Sequence, residues 1–159
     1  FAQKYAQFDY ASIIQDMPAY KTAQTELQGM QDKFKKDLED MQKELQTKYE
    51  KFQQEVNEKT PENIRSRRQQ ELAELSQKLD QARADDEKAL QEASSQKMQP
   101  IITKVMDAIN AVAKEGNYVY IMDSNAAQSA GIFINPALSE NVTAKIRTKL
   151  GLSASSAKK

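Results

Sequence analysis

Between Tyr20 and Val56 the larger apolar residues recur at helical spacing. Tyr20, Ala23, Leu27, Met30, Phe34, Leu38, Met41, Leu45, Tyr49, Phe52 and Val56 follow one another by steps of three or four, and nearly everything off this stripe is Lys, Glu, Asp or Gln. The pattern predicts one long amphipathic helix. Met30, Met41 and Phe52 are spaced by eleven residues, as are Phe34, Leu45 and Val56, and an eleven-residue period keeps a packing seam nearly straight or slightly right-handed. At ~1.5 Å per residue such a helix is about 60 Å long.

The helix should stop at Asn57-Glu58-Lys59. Thr60-Pro61-Glu62 is a start signal, with Thr60 as N-cap, Pro61 as the first helical residue and Glu62 facing the positive end of the helix dipole. A second stripe runs through Ile64, Leu72, Leu75, Leu79, Ala82, Leu90 and Ala93, thinned because Arg68, Asp86 and Lys97 occupy seam positions. Pro100 should kink this helix. A denser apolar stretch follows at Ile101, Ile102, Val105, Met106, Ile109 and Val112, with Gly116 as the terminal cap. The two helices form a hairpin packed better at its base than at its tip.

The ends of the chain have a different character. Lys4–Phe8 reads as a short strand, Asp9 as the N-cap of a helical turn through Ser12, Ile13 and Ile14, and Pro18 as the opening of the long helix. Tyr118-Val119-Tyr120-Ile121-Met122 reads as a strand ending at the turn-prone Asp123-Ser124-Asn125. Ile132-Phe133-Ile134, between Gly131 and Asn135-Pro136, reads as a third. Ser139-Glu140 should start a closing helix with Val142, Ile146 and Leu150 on one face and Gly151 at its end. Three short strands from distant parts of the chain cannot bury both faces of a sheet alone, which predicts assembly with other subunits. The fold class is therefore α+β, mainly α. Residues 1–18 and 101–152 form a small β-rich body for assembly with other subunits, residues 19–100 a long helical-hairpin (coiled-coil) arm, and residues 153–159 a disordered tail.

Composition narrows the function. Only 39% of the 159 residues are hydrophobic while 29% are charged, and a mean hydropathy of -0.78 leaves little for a large core. With no Cys and no His, a Ser–His–Asp triad, a Cys–His pair and a Cys/His zinc site are all excluded. The 23 basic and 23 acidic residues balance, so nothing draws the chain to nucleic acid. No apolar run approaches the ~20 residues of a membrane span. The chain opens on Phe1, which fits removal of a signal peptide and equally a cut made elsewhere.

The two ends also carry a resemblance. Lys4-Tyr5-Ala6-Gln7-Phe8-Asp9-Tyr10-Ala11-Ser12-Ile13-Ile14, closed by Pro18, resembles the opening strand and capped turn of the Skp/OmpH family of periplasmic chaperones. Tyr118 to Asn125 resembles that family's apolar strand followed by Asp-x-Asn, and Gly131 through Asn135-Pro136 to Leu150 its closing segment. The resemblance implies a homotrimer whose three hairpin arms enclose a cavity, where unfolded outer-membrane proteins are held in the periplasm without ATP, cofactor or catalysis. Family members are often strongly basic. Here residues 19–60 carry 8 basic and 9 acidic side chains and residues 61–99 carry 7 and 8, so only Lys59, Arg65, Arg67 and Arg68 match basic arm tips suited to lipopolysaccharide or a membrane surface.

Each candidate has a plainer reading. The arm stripe is first a packing seam; Met30, Phe34, Met41 and Phe52 also suit loose apolar contact with varied clients. Lys59, Arg65, Arg67 and Arg68 are first a solvated helix start, and second a dock for acidic segments. Asp85-Asp86-Glu87 is a solvated face, since adjacent carboxylates on a helix point apart. Phe8, Ile13, Tyr118, Val119, Ile121, Ile132, Ile134, Val142 and Ile146 are the candidates for the trimer body. The rival readings are a scaffolding coiled coil of the envelope, a nucleic-acid-binding helical protein and, more distantly, an enzyme.

Overall fold

A computed structural model describes residues 2–155. In chain order the elements are β1 (Lys4–Phe8), α1 (Tyr10–Asp16), α2 (Pro18–Glu55), α3 (Glu62–Gly116), β2 (Tyr118–Asp123), α4 (Ser124–Ser129), β3 (Ser139–Asn141) and α5 (Thr143–Lys149). The chain divides into two compact units, one made of residues up to Thr25 with those from Ser95, the other of Glu26–Ser94.

In the first unit β1 is the central strand of a three-stranded sheet, parallel to β2 on one side and β3 on the other. Parallel neighbours need long crossovers, and α1, α2 and α3 together supply the one from β1 to β2. Pairing sets Tyr5 opposite Tyr120 and Ser139, and Ala6 opposite Ile121 and Glu140. Ala6 and Phe8 point to one face and are buried there with Ile13, Ile14 and Met17 around α1, Ile101, Val105, Ala108 and Val112 of α3, and Val142 and Ile146 near α5. This is the apolar stretch after Pro100 that the sequence marked as denser. Asp9 caps α1 through the Ser12 N–H, and Asp123 caps α4 through the Ala126 N–H. The caps are cross-linked, since Tyr10 N–H donates to Asp123 and Asn125 Nδ2 to Asp9.

In the second unit α2 and α3 face each other through a half-buried stripe. Leu27, Met30, Phe34, Leu38, Met41, Leu45 and Phe52 line it from α2, and Arg68, Leu72, Leu75, Ala82, Asp86, Leu90 and Ala93 from α3; of the seam residues only Leu79 is buried outright. Two helices alone cover one side of a seam each, and the polar residues in it reduce what is covered further. Gly29 sits inside α2 with nothing within 4 Å of where a Cβ would be. Gly29→Ala is therefore expected to raise helix stability by about 1 kcal/mol, read as slower amide exchange around residues 26–33.

Several local expectations are corrected. Ile132-Phe133-Ile134 is not a strand: α4 ends with Gly131 at φ 73° and Ile132 N–H returning to the Ala127 carbonyl, and an Asn135–Leu138 turn follows in which Leu138 and Ser139 N–H donate to Asn135 O. The free edge of β1 is instead taken by Ser139–Asn141, so the closing helix starts at Thr143, not at Ser139. Asp123-Ser124-Asn125 opens a helix instead of a turn. Thr60 Oγ1 accepts from the Asn57 N–H and so serves the link, not the start of α3. Pro100 lies inside α3 without ending it, which leaves the expected kink as an expectation, and Thr103 Oγ1 donates to the Gln99 carbonyl nearby. Its left-handed terminal residue is Asn117, at φ 52°; Gly116 is required because a Cβ there would overlap the Tyr118 ring. Gly151, at φ 73°, closes α5 as expected; of the expected disordered tail, Ser153 and Ser155 are instead hydrogen-bonded to Arg147, and positions 156–159 lie outside the described residues.

Candidate binding and assembly surfaces

Three surfaces gather the residues singled out from the sequence. The first is the α2 stripe, where Met30, Phe34, Met41 and Phe52 are half-buried. Phe52 shares a small groove with Lys48 and Lys51 of α2 and with Arg68, Glu71 and Leu72 of α3. Each of these four side chains is split between the seam and solvent, so packing and outward contact coexist.

The second is the α2–α3 link. Arg65 donates to the Asn57 carbonyl at 3.0 Å and lies 3.7 Å from Glu62, while Arg68 lies 3.5 Å from Glu55. Two of the expected basic tip residues are therefore spent on the link itself. Lys59 and Arg67 are exposed. Exposed pairs of this kind are worth at most about 1 kcal/mol, so a strong anionic ligand could still recruit them.

The third is the sheet. Phe8, Ile13, Tyr118, Val142 and Ile146 belong to the subunit's own core, and Ile121 packs against it. Val119 and Ile132 are exposed, and Ile134 is half-buried. The face of the sheet opposite the core carries Tyr5 and Gln7 of β1 with Tyr120 and Met122 of β2. A cleft on it is lined by Tyr5, Tyr120, Met122, Ile132, Phe133 and Leu138. The Tyr5 and Tyr120 rings lie 5.0 Å apart. Phe133 is 85% and Leu138 75% exposed, which is unusual for side chains this large and apolar. Parallel sheets are ordinarily covered on both faces. Tyr5, Tyr120, Met122, Phe133 and Leu138 were not among the residues the sequence nominated. For Phe133 and Leu138 the signal lies in the apolar residues flanking Gly131 and Asn135-Pro136, a run that reads locally as a strand and a turn.

Beside the sheet, Tyr118 donates a hydrogen bond to Glu140, and Lys145 donates to Glu140 at 3.0 Å and to the Tyr118 hydroxyl at 3.3 Å. Desolvation, then the bond to Glu140, pushes the Tyr118 phenol above its usual range. The bond from Tyr118, then that from Lys145, holds Glu140 below the usual carboxylate range. The bond to Glu140, then that to Tyr118, raises Lys145. A depressed carboxylate stabilises the fold above its unfolded pKa and loses that contribution as pH falls through the folded one. A raised phenol contributes below its unfolded pKa and loses it as pH climbs through the folded one. The triad should thus tie β2, β3 and α5 together from mildly acidic to mildly alkaline pH. Glu140→Gln is expected to lower the melting temperature modestly at neutral pH, where the ionised Glu140 contributes, and to converge with the unaltered protein as pH falls below about 4, which flattens the acid limb.

Together these features define a class: a mainly helical α+β chain with a thinly packed two-helix hairpin and a small parallel sheet that keeps an apolar face open. No helix among the described residues is long and apolar enough to cross a membrane. The chain belongs to the OmpH-like outer membrane protein family, whose model matches residues 4–150. This is a family of chaperones, not of enzymes, associated with the bacterial periplasm and outer membrane. No curated protein matches the chain.

Proposed function

We propose that this chain is an ATP-independent periplasmic holdase that works as a homotrimer. In this reading residues 1–18 and 101–152 form the trimer body, and residues 19–100 form arms around a cavity for unfolded outer-membrane β-barrel proteins. The observation that carries it is the half-buried α2–α3 seam. A stripe of Met, Phe and Leu that, Leu79 apart, is only half covered can exchange its own loose packing for contact with an unfolded chain. Flexible thioethers suit clients of varied sequence. Many weak contacts on three linked arms add to a useful affinity without a single strong site. The open sheet face supports assembly, because another subunit would cover what this one leaves exposed.

The near-neutral arms place apolar contact ahead of charge in client retention, with Lys59 and Arg67 as the residues left for acidic segments or lipopolysaccharide. An unfolded outer-membrane β-barrel diluted from denaturant should stay soluble in the presence of the protein, with little change between low and high salt. A scaffolding coiled coil would leave its aggregation unchanged. Single alanine substitutions at Met30, Phe34, Met41 or Phe52 should each weaken holding less than about threefold, with losses that accumulate when they are combined. One substitution that abolishes holding while the oligomer stays intact would overturn distributed contact.

A further inference from the structure

Among the described residues Arg147, on α5, is the only charged side chain that is buried, at 2% exposure. A guanidinium carries five N–H donors and no acceptor, and burying it is costly unless those donors are matched. Two acceptors come from α1: Asp16 Oδ2 at 2.8 Å from Nη2 and the Ser12 carbonyl at 3.4 Å from Nη1. The other two come from beyond α5. Nε donates to the Ser153 carbonyl at 2.6 Å and Nη2 to the Ser155 carbonyl at 3.3 Å.

The chain is turned to make these contacts. Gly151 adopts φ 73°, its N–H donates to the Thr148 carbonyl, and the Leu152 N–H returns to the Arg147 carbonyl at 2.9 Å. Ser153 Oγ then donates to the Ser155 carbonyl, folding the segment over the guanidinium. The span shared with the family ends at residue 150. The strap therefore lies outside it.

We infer that residues 153–155 are a strap that closes over Arg147 and locks α1 onto α5. With the strap in place the buried charge has acceptors on both sides. Without it, Arg147 loses half of them, including the one at the shortest distance, and satisfies its N–H groups only by admitting water between α1 and α5. Helix α1 carries Ile13 and Ile14 in the core and leads through Met17 into Pro18, the first residue of α2. The strap thus sets how firmly the chain's N-terminal end is held in this unit.

Amide exchange of α1 tests the lock in three proteins. In a chain ended at Leu152 the α1 amides should exchange at least tenfold faster than in the full chain. In a chain ended at Ser155, which keeps the strap, they should stay within twofold. In an Arg147→Met background, ending the chain at Leu152 should change them less than twofold. Unchanged protection in the chain ended at Leu152 overturns the proposal, as does an equal acceleration in the Arg147→Met background. A second measurement covers the case in which Arg147→Met does not fold. Carboxypeptidase should remove Ser153–Ser155 at least tenfold faster from an Asp16→Asn chain than from the unaltered one, and equal rates would count against the lock.

Discussion

Ile13→Ala is expected to destabilise the first unit by about 2–5 kcal/mol, whereas Leu72→Ala in the α2–α3 seam should cost about 1 kcal/mol or less. Ile13 has no exposed surface and sits among Phe8, Val105, Val142 and Ile146. Shortening it leaves a void that close-packed neighbours cannot fill. Leu72 is half-buried beside Phe52, Arg68 and Glu71, so truncation removes contacts that were partial and lets water into a space it already borders. Amide exchange resolved by segment, at fixed protein concentration because assembly would otherwise shift the result, separates the two units. The contrast bears on function directly. A seam as costly to truncate as the core would be a rigid rod with nothing to offer a client, and equal losses at Ile13 and Leu72 would remove the ground for the holdase reading.

That contrast is legible in the sequence, because periodicity records which side of a helix is apolar and interruptions record where it is not. The half-buried state of Arg68 and Asp86 follows from their places in the α3 stripe. Caps were equally readable where the side chain or glycine does one job, as with Asp9 before α1 and Gly151 after α5. The third strand was not. Ile132-Phe133-Ile134 has the higher β-propensity, but propensity on short strands mostly expresses burial against neighbours. The position beside β1 is decided by where the Asn135–Leu138 turn releases the chain. Ser139–Asn141 enters the sheet with polar side chains because a three-residue edge strand needs only its backbone. The cap at the end of α3 was misplaced for a related reason. Gly116 is kept small by the ring of Tyr118, two residues later, a contact no local pattern contains.

The same displacement explains why the assembly candidates split. Alternation told which residues of β1 and β2 were apolar but not which face the helices would cover. Phe8, Tyr118, Val142 and Ile146 were spent inside the subunit, and the surface left over is made of residues that the turn and the Gly131 bend push outward. An apolar patch created by a loop lying on a sheet needs both partners in place before it can be seen.

Paired substitution of Phe133→Asp and Leu138→Asp should convert the proposed trimer to single subunits. Both side chains are exposed in the lone chain, so the subunit itself should lose nothing: far-ultraviolet dichroism and the protection of Ile13 and Val105 should persist. Between subunits the change is severe. Each contact would have to bury two carboxylates with no cation provided for them, at a cost of several kcal/mol per ion, which weakens association on the order of a thousandfold or more. Light scattering should move from three times the 18.0 kDa chain mass to the mass of one chain. Holding of an unfolded β-barrel should fall with it, since in the proposed trimer three arms acting together turn weak contacts into retention. A doubly substituted protein that keeps the threefold mass would show that the open sheet face is not where subunits meet, and the assembly would then have to be sought at Val119 and the outer edge of β2.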